Sequence, residues 1–298
     1  MEYTVSAAAR ATGVTEDRLR TWERRYGVPA PPRTGSGRRL YGEADLAVIR
    51  RMAALMDSGL SAASAAAAVH EQPPAAVQLP VELDPRCEAL VQAAHLLDDT
   101  LLLDLLAAGE RALGVEAALD HIVLPALIEA GRRWERGGLT VAQEHLLSEA
   151  IRTWLVFHSY QIGDPEPDAP RLLVGCPEDE RHDLGAFALA LLLRLHGMRV
   201  TYVGADVPTA ALVDAVQTVP FDAVCLSVTA ATSVPTARLA CAALLSAQNG
   251  VRLYIGGRAI VAASDEDTAG IPAVRLPATL RGSVDLIAAQ LNHTPPSR

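Results

Sequence analysis

From residue 171 to residue 291, short apolar runs alternate with longer apolar segments, and this rhythm limits the chain to parallel strands crossed by helices. The runs at 171–175, 199–203, 223–228 and 251–255, with a weaker one near 273–276, have the length and continuity of strands buried on both faces. The segments 184–197, 209–218, 235–249 and 280–291 predict helices. Strand, helix and strand in succession require a right-handed, doubly wound parallel sheet. Such sheets bind ligands in the crevice outside the carboxyl ends of their strands. The loop at the first such end reads Pro177-Glu178-Asp179-Glu180-Arg181-His182-Asp183-Leu184-Gly185. It has no Gly-x-Gly-x-x-Gly fingerprint, which counts against a dinucleotide. It presents His182 as a candidate metal ligand, and Glu180, two residues earlier, can accept the Nδ1 proton and raise the basicity of Nε2. A histidine in a polar loop is more often a solvated side chain, so the residues alone leave both roles open. Asp206, at the end of the second strand, is a further candidate for the crevice wall.

The N-terminal segment has a different character. Residues 4–12 predict a short helix closed by Gly13, and Thr15 caps a second helix, 16–26, ended by Gly27 and Pro29. Helix, tight glycine turn and helix give a helix-turn-helix outline. Its second helix carries Arg18, Arg20, Arg24 and Arg25 around an apolar edge of Leu19, Trp22 and Tyr26. Residues 33–41 place two glycines between arginines and fit a β-wing, and 43–57 and 61–69 predict two more helices. The net charge of −9 hides an asymmetry: from Arg18 to Arg51, nine arginines face Glu23, Glu43 and Asp45, a local excess of +6. A basic patch on one segment of an acidic chain points to an anionic partner for that segment alone.

Between these regions the periodicity is helical. Segments 86–97, 100–113, 115–136 and 141–161 predict a four-helix bundle, the last opening with a capping box of Thr140 and Gln143. That box sets Glu144 and His145 in the opening turns of the last helix, a short corner away from Trp134. Proline-rich stretches separate the parts, so the expected limits are 1–72 for the helix-turn-helix domain, 73–84 for a linker, 85–162 for the bundle, 163–170 for a second linker and 171–298 for the sheet domain. Cys87, Cys176, Cys225 and Cys241 are scattered and read as reduced core residues rather than a disulfide framework or zinc site. No apolar run reaches membrane-spanning length and the N-terminus has no leader pattern, which predicts a soluble, cytoplasmic protein. All 26 cationic side chains are Arg, a mark of genome composition.

Three stretches carry family resemblances. Glu180-Arg181-His182-Asp183-Leu184-Gly185 resembles the Asp/Glu-x-His-x-x-Gly signature of cobalamin (vitamin B12) binding domains, in which the histidine is the lower axial cobalt ligand. Ser227-Val228-Thr229 and Gly256-Gly257, each after a strand and in family order, resemble the elements beside the displaced nucleotide tail. The resemblance thus implies a Rossmann-like domain with His182 on cobalt and Glu180, Asp183, Gly185, Ser227, Thr229, Gly256 and Gly257 around the cofactor. Tyr3-Thr4-Val5, the run from Leu19 to Tyr26, and Arg38-Arg39-Leu40-Tyr41 resemble the winged helix-turn-helix of the MerR family. That implies a double-stranded DNA operator contacted by Arg18, Arg20, Arg24, Arg25, Arg38, Arg39 and Tyr41.

Trp134, nine residues, then Glu144-His145 is similar to the Trp-x9-Glu-His motif of the helical cap in CarH/LitR-type B12 photoreceptor regulators. The resemblance runs along essentially the whole chain. It implies adenosylcobalamin with its upper face under Trp134, Glu144 and His145, and a dark homotetramer that represses transcription until light breaks the Co–C bond. One position departs from the pattern: where the best-known photoreceptors have a histidine after the motif Trp, this chain has Glu135. A carboxylate is a poorer cobalt partner than imidazole, which keeps a light-independent cobalamin-sensing regulator open as an alternative. A corrinoid methyl carrier shares the cap and the histidine loop, but has no use for an arginine-rich DNA-binding domain. A MerR-type regulator that has lost cobalamin is opposed by the intact His182, Ser227, Gly256 and Gly257. The expected function is therefore an adenosylcobalamin-dependent, light-responsive repressor and not an enzyme.

Overall fold

The computed structural model describes residues 3–29, 31, 39–57, 60–70, 84–247, 250–264 and 268–292. The chain divides into two compact units, Met1–Gln72 with Glu129–Glu144, and Pro73–Ile128 with His145–Arg298.

In the first unit, α1 (Val5–Thr12) begins one residue later than the sequence places it and α2 (Glu16–Tyr26) begins as expected, because Thr4 and Thr15 turn their hydroxyls back to accept the N–H groups of Ala7 and Arg18. They end on Gly13 and Gly27, whose φ angles of 70° and 67° are left-handed and cost a glycine nothing. Helices α3 (Glu43–Asp57) and α4 (Ala62–His70) complete the domain. Leu19, Trp22, Tyr41, Leu46, Ile49 and Met52 are fully or almost fully buried in its core. Tyr3 and Tyr41 form an antiparallel bridge. Residues 32–38, most of the expected wing and including Arg38, lie outside the described residues, as does most of the expected linker at 71–83. Thr140 and Gln143 form the capping box at the start of α9 (Val141–Gln161): the Thr140 N–H donates to the Gln143 side chain at 2.8 Å, and the Gln143 N–H returns to the Thr140 hydroxyl at 3.3 Å.

The second unit holds α5 (Pro85–His95), α6 (Asp99–Leu113) and α7 (Val115–Ala118), followed by the sheet domain. The unit boundary cuts α8 (Leu124–Glu135) after Ile128 and α9 after Glu144. The third helix of the bundle, expected to be continuous over 115–136, is interrupted by a π-helical turn at Leu119–Val123. Pro125 explains it: the ring carries no N–H, so the carbonyl of His121, four residues earlier, loses its helical donor. The thiol of Cys87 donates instead, at 3.3 Å to that carbonyl and 3.4 Å to Ile122. Burial accordingly pushes the Cys87 thiol up to about 11.

The sheet is five-stranded and parallel in the order β2-β1-β3-β4-β5: β1 (Arg171–Pro177), β2 (Arg199–Val207), β3 (Ala223–Ser227), β4 (Arg252–Gly256) and β5 (Val274–Arg275). Between the strands run α10 (Leu184–Leu195), α11 (Thr209–Thr218), α12 (Val234–Ala247) and α13 (Arg258–Ala262), and α14 (Leu280–Gln290) closes the domain. Residues 172–176 of β1 are buried without a break, which is why that strand reads as a continuous apolar run. Strand β2, at the sheet's edge, is only partly covered. In this order the chain reverses direction across the sheet between β1 and β3, so the loops leaving those two strands flank the switch point. Asp120 ties the bundle to the sheet domain by accepting the first N–H groups of α14, from Leu280 at 2.6 Å and Arg281 at 2.9 Å.

Candidate functional site

The loop that leaves β1 is fastened at Asp179, Glu180, His182 and Asp183. Asp179 takes a left-handed φ of 68°, and its N–H donates to the Asp206 carboxylate at 2.8 Å. Asp206 returns its own N–H to the Glu180 carbonyl at 2.8 Å, and the Ser233 hydroxyl donates to the Asp179 carbonyl at 3.2 Å. Asp206, expected to line the crevice, thus acts on the loop's backbone.

Glu180 is completely buried, and its carboxylate accepts four hydrogen bonds. One carboxylate oxygen accepts the His182 backbone N–H at 2.9 Å and its ring Nδ1 at 2.7 Å; the other accepts the N–H groups of Thr229 and Ala230, each at 2.7 Å. Burial by itself would raise this carboxyl, but the imidazole and the backbone donors outweigh it and hold Glu180 below the usual carboxylate range. An ionised acceptor fixes the proton of His182 on Nδ1 and leaves the lone pair on Nε2. The His182 side chain is 67% exposed, so the arrangement presents one oriented imidazole to the crevice from a rigid anchor. The carboxylate also joins the β1 loop to the β3 loop across the switch point. Local sequence suggested the bond to His182; the bonds to Thr229 and Ala230, 49 and 50 residues away, have no local signal.

Asp183, expected beside the cofactor, has its carboxylate committed within the protein. Arg152 of α9 grips it with two bonds, 3.1 Å and 2.6 Å, and the Tyr202 hydroxyl donates to it at 2.6 Å. Burial would raise Asp183, but these partners hold it below its usual range, and burial with the same hydrogen bond pushes the Tyr202 hydroxyl up. Tyr202 is in turn stacked on Phe187 of α10, with ring centroids 4.8 Å apart. Sequence reasoning named neither Arg152 nor Tyr202, because each meets Asp183 only through the tertiary fold.

Ser227 is buried at the end of β3, and Thr229 is half-buried beyond it. A methyl group on Gly185 would meet the Ser227 hydroxyl at 4.0 Å, an ordinary contact, so the protein's own packing does not demand glycine there. The other two glycines are crowded by the protein itself, and at Gly257 a side chain is excluded by backbone. A Cβ on Gly256 would come within 3.1 Å of Leu276, and one on Gly257 within 2.4 Å of the Val228 carbonyl, where φ is already 98°. Gly257→Ala is expected to cost about 2–4 kcal/mol, the sum of left-handed strain and a backbone clash, measured as a lowered thermal midpoint without any ligand.

Trp134, Glu135 and Glu144 belong to the first unit and His145 to the second. In the helix-turn-helix domain, Arg18, Arg20, Arg24 and Arg25 are all exposed on α2. The Arg18 guanidinium lies over Trp22 at 5.4 Å, and Arg20 pairs with Glu16 at 3.1 Å. Tyr41 requires a correction: it is fully buried, its hydroxyl donates to Glu23, and burial with that bond pushes its pKa upward. It is a core residue and has no surface to offer a phosphate. Arg39 pairs with the same carboxylate at 2.5 Å. Cys176, Cys225 and Cys241 are buried free thiols, as expected.

Comparison with known proteins covers both ends of the chain. Residues 3–72 match the MerR HTH family regulatory protein, and residues 86–156 and 170–279 match two B12 binding domain families. The chain is 38% identical over 229 residues to the HTH-type transcriptional repressor CarA of Myxococcus xanthus, 76% of each chain. It is 33% identical over 273 residues to the HTH-type transcriptional repressor CarH of the same organism, 86% of this chain and 89% of the relative. The solved structure of the Methanosarcina barkeri monomethylamine corrinoid protein superposes with a TM-score of 0.58 at 15% identity, over 70% of this chain and 97% of that one, a likeness of fold.

Proposed function

Because the chain belongs to the family of B12-binding, MerR-type transcriptional repressors typified by CarA and CarH, we propose that it is an adenosylcobalamin-dependent, light-responsive repressor in which His182 is the lower axial cobalt ligand. The observation that carries this reading is the imidazole of His182, held through Nδ1 by a buried carboxylate at the switch point of a parallel sheet. A single oriented nitrogen suits a metal that brings most of its own ligands, as cobalt does in a corrin ring. Glu180 fixes the tautomer, and the loops after β1 and β3 border the crevice. Trp134, Glu144 and His145 would cover the opposite face. Bound adenosylcobalamin would supply a Co–C bond that light cleaves.

A cofactor enclosed by two parts of a protein stabilises only the arrangement that encloses it. In this reading the enclosed form is a dark homotetramer, and several linked helix-turn-helix domains hold an operator far better than one. The repressor would act in the cytoplasm, and among the described residues no helix is long and apolar enough to cross a membrane. The domain limits proposed for it are 1–72, 85–162 and 171–298.

Size-exclusion chromatography of adenosylcobalamin-loaded protein, dark and then illuminated, tests the proposal. Dissociation of a dark tetramer by light is the expected result; an assembly that needs the cofactor but ignores light would instead favour the light-independent sensor. Glu135, in place of the histidine expected after the motif Trp, is the residue that favours this second reading, and Glu135→His is the change that would then be made.

DNA contact is expected to rest on the exposed arginines of α2. Arg24→Ala and Arg25→Ala should each weaken operator binding and reduce the slope of log affinity against log salt by about 1, as read by fluorescence anisotropy across a salt series. Arg20→Ala should do less, since Glu16 already competes for that guanidinium.

A further inference from the structure

The cobalamin reading uses His182 and Glu180 but gives no part to the ion pair immediately beside them. We propose that Arg152 is a positioning residue, which grips Asp183 from α9 and thereby holds the His182 loop where its imidazole can reach the cobalt. The inference rests on the cobalamin reading and goes beyond it to a residue on the cap helix.

Asp183 follows the candidate ligand directly and ends the loop at the start of α10. Although it occupies the position from which short acidic side chains usually cap a helix, it makes no such bond to the α10 backbone. Its carboxylate is turned to Arg152 and Tyr202 instead. The Asp183 side chain is 11% exposed and that of Arg152 35% exposed, so the pair is shielded, bidentate and anchored on one side by the stacked Tyr202. Such geometry fixes both the distance and the angle between the two elements, which a single hydrogen bond does not. The Glu180 anchor restrains the His182 loop from the sheet side; Arg152 restrains it from the helix side. Arg152 also lies seven residues after His145, two turns along the same stripe of α9. The helix that carries a candidate for the upper face therefore holds the residue next to the candidate for the lower face.

The test is electron paramagnetic resonance of protein reconstituted with cob(II)alamin, where an axial nitrogen splits the cobalt signal. Labelling histidine with heavy nitrogen alters that splitting only when the nitrogen belongs to the protein. Wild type should show the isotope effect and His182→Ala should lose it. Arg152→Gln is expected to take up the cofactor about 10-fold more weakly, with most of the isotope-sensitive signal gone. Arg152→Lys, which keeps the charge but makes only one bond, should recover part of both. A merely structural role for Arg152 would lower the thermal midpoint of the cofactor-free protein and leave the isotope effect intact, and that outcome overturns the proposal. So does wild-type splitting in a folded Arg152→Lys variant, should Arg152→Gln fail to fold. Wild-type protein that takes up no cob(II)alamin, or shows no splitting that depends on His182, would instead strike at the cobalamin reading itself.

Discussion

His182→Ala is expected to lower cobalamin affinity by more than about 100-fold while leaving the protein as stable as before. Loss of a group that merely orients a metal ligand typically costs 10–100-fold, and loss of the ligand itself should exceed that. Stability is spared because the His182 side chain is 67% exposed, and its truncation neither opens a cavity nor strands a charge on the sheet. Glu180 loses one ring donor and keeps the three backbone N–H groups of His182, Thr229 and Ala230. The measurement is a visible-absorption titration with adenosylcobalamin beside a thermal melt of the cofactor-free protein. The expected pattern is a spectrum without an axial imidazole and a thermal midpoint unchanged. A variant that kept both the wild-type spectrum and affinity would remove His182 from the site.

Glu180→Gln should show the opposite balance, a large loss of stability together with a loss of affinity. Four donors converge on the two oxygens of this buried carboxylate. A carboxamide offers one oxygen, so its NH2 group must face donors whichever way it turns. If it faces Thr229 and Ala230, two backbone N–H groups lose their acceptor, at about 1–3 kcal/mol each. If it faces His182, the ring must accept at Nδ1, which moves the proton to Nε2 and removes the lone pair that a metal needs. Either way the expected cost is about 2–5 kcal/mol in chemical denaturation, with affinity down about 10–100-fold. A variant of wild-type stability would mean that the two loops are not joined through this side chain.

These two substitutions also mark how far the sequence could be read. The β/α alternation was legible because strands such as β1 are covered on both faces and leave unbroken apolar runs. The first two helices were legible because Thr4, Thr15, Gly13 and Gly27 act on their own neighbours. The His182–Glu180 bond spans two residues, and it too could be foreseen. What stayed hidden depends on distance along the chain. The π turn needs both Pro125 and the thiol of Cys87, which is 34 residues before the carbonyl it serves. Arg152 reaches Asp183 across 31 residues and Tyr202 reaches it across 19. Tyr41 was misread for a related reason. An aromatic hydroxyl beside arginines looks the same in sequence whether it points to a phosphate or, as here, to the Glu23 carboxylate in the core. Gly256 and Gly257 were read as leaving room for a cofactor tail, whereas at Gly257 the neighbour that demands the absence of a side chain is the protein's own Val228 backbone.

Cobalamin is expected to control DNA binding by this chain. The most direct measurement is the affinity of one protein preparation for DNA from its own promoter region, taken without cofactor, with adenosylcobalamin in the dark, and after illumination of that same sample. Tight binding only in the dark, cofactor-loaded state is the expected result; equal affinity in all three states would mean that neither the cofactor nor light controls the repressor.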